Sequence, residues 1–109
     1  MNEEKAIKKY IPMTETMFFI LLSLQQEHHG YGIMQHVKQI TDNRIILGAG
    51  TIYNSISRLE KDGLIEALFE DDRRKTYITT ELGKKILKVE AKRLTELYEN
   101  AKLLLEESV

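Results

Sequence analysis

The sequence contains no cysteine, which removes disulfides, thiolate zinc sites and thiol nucleophiles together and fits a reducing compartment. It has no tryptophan and a single proline, Pro12, so no indole platform is available to a planar ligand. Long apolar runs are missing too: the longest, Met17 to Leu24, includes Ser23 and is too short to span a bilayer. The polar stretch Met1 to Tyr10 does not read as a secretory leader, and a cytoplasmic protein without a membrane partner is expected. No histidine and carboxylate stand at catalytic spacing, and Gly48 and Gly50 are not followed by the Lys-Ser/Thr of a phosphate loop, so an enzyme is not expected. His29 and His36 lack cysteine or carboxylate partners and read as capping or packing residues, with no metal and no cofactor. The net charge of −1 offers no global basic bias toward nucleic acid. Any such binding must rest on local clusters, Arg73-Arg74-Lys75 or Lys84, Lys85, Lys88, Lys92 and Arg93.

What is present is helical periodicity in a chain of 109 residues, 42% hydrophobic and 30% charged, enough for one small core. Met1 to Tyr10 has helical character with few apolar contacts, is stopped by Pro12, and is expected to pack on a partner subunit. Thr14 caps a nearly all-apolar, central helix that runs to about Glu27. His28-His29-Gly30-Tyr31-Gly32 turns into a second helix carrying Ile33, Met34, Val37 and Ile40, closed by Asp42-Asn43. Arg44 to Leu47 predicts a short strand. Ile52, Ile56 and Leu59 then share one face of a third helix while Asn54, Ser57, Arg58 and Lys61 face away, and Gly63 closes it. Leu64 to Glu70 and Lys75 to Thr79 alternate as the strands of a hairpin with Asp71-Asp72-Arg73 at its tip.

Thr80 caps the longest helix, about Glu81 to Glu107, which is longer than the rest of the domain can cover. Leu87, Leu94, Leu97, Ala101 and Leu104 follow spacings of three and four, with Glu90 as a polar intruder, and Tyr98 lies beside them; this reads as a dimerisation seam. Residues 81–93 carry five basic and two acidic side chains, whereas 94–109 carry one basic and four acidic, opposing the helix dipole. DNA lying near the basic half, antiparallel pairing of two such helices, or plain solvation would each account for that segregation. The fold class expected is mostly α with a small β wing, a winged helix-turn-helix over residues 1–80 with an N-terminal helix. Residues 81–109 form the dimerisation helix of one continuous unit.

Four blocks in order carry a family resemblance: His29-Gly30-Tyr31, Gly50-Thr51-Ile52-Tyr53, Arg58-Leu59-Glu60-Lys61-Asp62-Gly63-Leu64-Ile65, and Arg74-Lys75-Thr76-Tyr77 with Thr80-Glu81-Leu82-Gly83. From about Thr14 to Leu87 the sequence resembles the PadR-type transcriptional regulators, in the short branch with a single C-terminal helix. It departs from the usual wing in setting Asp71 and Asp72 beside Arg73 and Arg74. The resemblance implies a homodimer that binds double-stranded DNA at an inverted-repeat operator, usually as a repressor, often released by a small-molecule effector.

For DNA contact the candidates are Tyr31, Thr51, Tyr53, Asn54, Ser55, Arg58 and Lys61, with Arg73, Arg74 and Lys75 on the wing. Arg58 can bridge guanine O6 and N7, or pair with Asp62 four residues on. Asn54 can read adenine, Thr51 and Ser55 suit phosphate, and Tyr53 is expected to bury its ring and extend its hydroxyl to phosphate. An effector cavity between the arms and the first helices would be lined by Met17, Phe18, Phe19, Leu94 and Tyr98. The alternative function is a dimeric winged-helix module that binds protein without specific DNA binding, favoured by the near cancellation of Arg58 and Lys61 by Glu60 and Asp62.

Overall fold

The structure is a computed structural model that describes residues 1–69 and 75–107. Helix α1 spans Glu3–Tyr10 and is capped by Asn2, whose side chain accepts the Lys5 N–H at 2.8 Å. Helix α2 spans Glu15–Ser23 under a Thr14 cap, and α3 spans Gly30–Ile40 with the His29 ring accepting the Gly32 N–H at 3.2 Å. Asp42 and Asn43 follow α3 with φ of 51° and 65°, a left-handed pair that these short polar side chains tolerate. Helix α4 spans Ala49–Lys61 and is closed by Gly63 at φ 80°, where a side chain would be strained. Strands β1, Ile65–Phe69, and β2, Lys75–Thr79, pair antiparallel with Ile65 opposite Thr79. Helix α5, Glu81–Glu106, follows the Thr80 cap.

The core lies where α2, α3, α4 and the start of α5 converge. Ile20, Leu21, Leu24, Ile33, Val37, Ile52, Ile56, Leu59 and Ile86 are all buried there. At roughly 1.5–3 kcal/mol per buried aliphatic side chain, this cluster is what offsets the entropy of ordering four helices. Past Arg93, α5 leaves the core, and the molecule measures 59 × 34 × 20 Å.

Several expectations are corrected. Helix α2 ends at Ser23, not near Glu27, because the chain must turn at Leu24 to bring His28 beside the ribbon. Arg44 to Leu47 is not a strand: the Ile45 N–H is satisfied locally by the Thr41 hydroxyl at 3.1 Å, and Leu47 turns into the core. The third segment of the ribbon is His28, whose N–H donates to Tyr77 O at 3.2 Å and whose O accepts from Tyr77 N at 2.9 Å. Helix α1 packs on its own chain, with Ala6 and Tyr10 buried against α5 and the end of α4. Leu87 and Glu90 also point inward, so they contribute nothing to a partner-facing seam. Glu90 is fully buried because Arg93 and the Met13 N–H satisfy its carboxylate.

Candidate nucleic-acid interface

Burial of Ile52, Ile56 and Leu59 fixes the roll of α4, and its other side faces outward as the periodicity requires. Thr51, Asn54, Arg58 and Lys61 are exposed and Ser55 is half-buried. No side chain caps the start of α4 at Gly48, which leaves its first N–H groups open to an anion. Tyr53 is corrected: the residue is 54% exposed and is not core. It lies across the start of α3, where a Cβ on Gly30 would come within 2.9 Å of its hydroxyl oxygen. Gly30 therefore admits the ring that couples the two helices of the helix-turn-helix.

Tyr31 stands next to that contact, 61% exposed, at the mouth of an open groove of about 570 Å³ lined also by Met34, Lys38, Asn43 and Ile46. Ile46 was not anticipated as a surface residue. Its apolar neighbours Ile45 and Leu47 suggest a buried strand, and only the local turn at Thr41 reveals otherwise. On the wing, Lys75 is exposed at the start of β2, whereas Arg73 and Arg74 lie outside the described residues.

The charges on α4 do not cancel as the sequence suggests. Asp62 is buried and bonded to Lys9 Nζ at 2.6 Å and to the Tyr10 hydroxyl at 2.6 Å. Burial opposes its ionisation, but the hydrogen bonds from Lys9 and Tyr10 outweigh that and hold the carboxyl below its ordinary value. One acid is thus withdrawn from the outer face, leaving Glu60 against Arg58 and Lys61. Arg58 does not pair with Asp62; its guanidinium lies over the Tyr10 ring, 5.4 Å from the centroid.

The residues expected to line an effector cavity are not brought together within one chain. Phe18 and Phe19 meet edge to face at 5.7 Å, but Phe19 lines a groove with Leu22, Ser23 and His36, while Met17 lines another with Tyr10 and Arg58. Leu94 is half-buried and Tyr98 exposed, and neither lines those grooves. In the first groove His36 Nδ1 is 2.7 Å from Ser23 Oγ and its ring faces that of His28 at 5.7 Å. Burial, then the neighbouring imidazoles, lowers the pKa of His28. Among the described residues no group of three or more histidine, cysteine or acidic side chains could hold a metal ion, and no helix is long and apolar enough to cross a membrane.

Known proteins share this architecture. A PadR family transcriptional regulator from Eggerthella lenta is 27% identical and superposes with a TM-score of 0.69 over 85% of this chain and 83% of that one. A PadR-like transcriptional regulator from Bacillus cereus, 21% identical, shows the same fold with a TM-score of 0.73 over 95% and 99% of the two chains. An uncharacterized protein of Lysinibacillus sphaericus, protein X, is 35% identical over 89 residues, covering 78% of this chain and 82% of its own. Residues 20–89, from the middle of α2 into α5, match the Transcriptional regulator PadR-like family. With its helix-turn-helix, two-stranded wing and long last helix, the chain belongs to that family, whose members are transcriptional regulators and not enzymes.

Proposed function

We propose that the chain is a cytoplasmic, sequence-specific DNA-binding repressor that acts as a homodimer on an inverted-repeat operator. The observation that carries this reading is the outer face of α4, where Thr51, Tyr53, Asn54, Arg58 and Lys61 are exposed opposite a buried apolar face and the Asp62 carboxylate is withdrawn. Such a helix fits the major groove, with Asn54 and Arg58 reading base edges and Thr51, Ser55, Tyr31 and Lys61 meeting phosphates. Lys75, with Arg73 and Arg74, extends the contact through the wing. The alternative of a protein-binding module rests on the slightly acidic chain, the acids set beside the wing arginines and the near cancellation of charge on α4, and burial of Asp62 weakens the last of these.

Binding to the DNA upstream of the chain's own gene, followed by fluorescence anisotropy at two salt concentrations, tests the proposal. A dimer making about six phosphate contacts should lose about a thousand-fold in affinity between about 50 and 200 mM salt. Arg58→Ala should weaken specific binding by about 1–3 kcal/mol and leave the salt slope nearly unchanged if the contact is to a base. Binding that is absent or insensitive to salt would sink the proposal.

Pairing is assigned to the distal half of α5, where Leu97, Tyr98, Leu104 and Leu105 share one side of the helix and are all at least half exposed. A row of this kind on one chain is a surface waiting for a partner, and a second arm sets two reading helices about 34 Å apart. Sedimentation equilibrium should give twice the chain mass of 12.7 kDa. Leu97→Asp with Leu104→Asp should return it to one chain mass, and an unchanged dimer would remove the arm from the interface. Any effector cavity drawn from Met17, Phe18, Phe19, Leu94 and Tyr98 would have to be completed by the second chain.

A further inference from the structure

Helix α1 is bonded to the last turn of α4 through side chains. The Tyr10 hydroxyl donates to Asp62 Oδ2 at 2.6 Å and lies 3.3 Å from the Arg58 carbonyl oxygen, while Lys9 Nζ reaches the same Asp62 oxygen at 2.6 Å. The Tyr10 ring also carries the Arg58 guanidinium on its face. Two adjacent residues of α1 therefore hold the last turn of α4 by a carboxylate, a carbonyl and a cation. At its other side α1 lies along α5, and just beyond it the Met13 N–H donates to Glu90 of α5 at 2.7 Å. Helix α5 packs on α1, α2 and β2, and α4 packs on α2, α3 and β1. At its first turn α5 is tied directly to the residues that close α4, the Thr80 hydroxyl donating to Gly63 O at 2.6 Å; farther along the arm, the polar link to the last turn of α4 runs through α1.

We propose that Tyr10, supported by Lys9, is a positioning residue for base reading: it holds the C-terminal turn of α4 and the Arg58 guanidinium in one orientation relative to α5. The proposal rests on the DNA-binding reading given above. Its physical basis is preorganisation. A guanidinium already resting on a π face gives up less rotamer freedom when it meets a base. A helix end pinned by a buried charged hydrogen bond keeps its register relative to the arm. Phosphate attraction depends on charge and distance and is indifferent to that register. Discrimination should therefore depend on Tyr10 while general affinity does not.

Tyr10→Phe tests this in the full chain, since it keeps the ring and every charge and removes only the hydroxyl. Two readouts are needed: affinity for a duplex enriched from a random-sequence pool by the wild-type protein against a scrambled duplex, and amide hydrogen exchange without DNA. The expected result is a loss of about ten-fold on the enriched duplex, with less than about a two-fold change on the scrambled one. Exchange should accelerate at Asp62, Gly63 and Leu64 and stay unchanged at Tyr77 and Thr79. Equal losses on both duplexes, or unchanged exchange at the end of α4, would overturn the proposal. A wild-type protein that enriches no sequence would remove both the DNA-reading function and this role in it, while the exchange data would still say whether the clamp holds α4.

Discussion

Arg93→Ala will lower the unfolding free energy near neutral pH, because it strips a buried carboxylate of its only counter-charge among the described residues. Glu90 accepts from Arg93 Nε at 2.6 Å, from Nη2 at 2.9 Å and from the Met13 N–H at 2.7 Å, and none of its surface reaches solvent. The Arg93 hydrogen bonds are the main reason that its carboxyl lies below its ordinary value; burial pushes the other way, and the Met13 amide adds to the lowering. A folded carboxyl held below its unfolded value of about 4.3 contributes stability that is present above that pH. This contribution is lost as pH falls through the folded value. Without Arg93, burial prevails, the carboxyl takes a proton when folded, and the penalty shrinks in acid. Urea unfolding should thus show a wide gap between wild type and variant at about pH 7 and a narrower one at about pH 4. Replacing both residues by apolar ones of similar volume should recover most of the loss, whereas equal stability of Arg93→Ala and wild type at neutral pH would refute the assignment.

Gly83→Ala is expected to cost about 3 kcal/mol or more, the upper range for forcing a group into a filled core. A Cβ there would lie 2.0 Å from the Leu64 carbonyl oxygen and 2.6 Å from Thr79 Cγ2. The first of these is backbone and cannot rotate away. It is also tied in place, because Thr80 N donates to Leu64 O at 3.0 Å and the Thr80 hydroxyl donates to Gly63 O at 2.6 Å while accepting the Gly83 N–H at 3.1 Å. The start of α5 crosses the junction of α4 and β1 at a distance that only glycine permits. Gly50→Ala is the control: it lies in a helix with nothing within 4 Å of the added carbon and should be neutral or stabilising by up to about 1 kcal/mol. Equal melting temperatures for the two variants would contradict the crossing geometry.

The elements most legible in the sequence are those whose signals are local. The Thr14 and Thr80 caps, the Gly63 stop and the Ile52, Ile56, Leu59 stripe each depend on residues within a turn or two, and the structure places them as expected. Signals that depend on a distant neighbour were misleading. Glu90 falls on the apolar stripe of α5, and no spacing rule distinguishes a polar intruder on a pairing seam from a buried charge completed by Arg93 and a backbone amide 77 residues away. Met1 to Tyr10 has too few apolar residues to predict its seat, since it is held by Tyr10 and Lys9 reaching Asp62. Ile45, Ile46 and Leu47 have the composition of a strand, yet the Thr41 hydroxyl binds the Ile45 N–H and His28 takes the place beside β2. Of the candidate interface, the outward face of α4 was readable; the exposure of Tyr53 and the withdrawal of Asp62 were not, because both follow from contacts between helices.

The pair of hydrogen bonds between His28 and Tyr77 ties the base of the wing to the segment that enters α3. Tyr53 of α4 rests on the other side of that entry, at Gly30. Helix α4 and the wing are thereby riveted to a common post. In the proposed dimer on DNA, a duplex that presents its grooves at a slightly wrong angle would meet two parts that cannot tilt separately, and the misfit would be absorbed by bending of the DNA or by a change in the angle between the two copies. An operator whose steps bend easily would then be preferred even where no side chain touches a base.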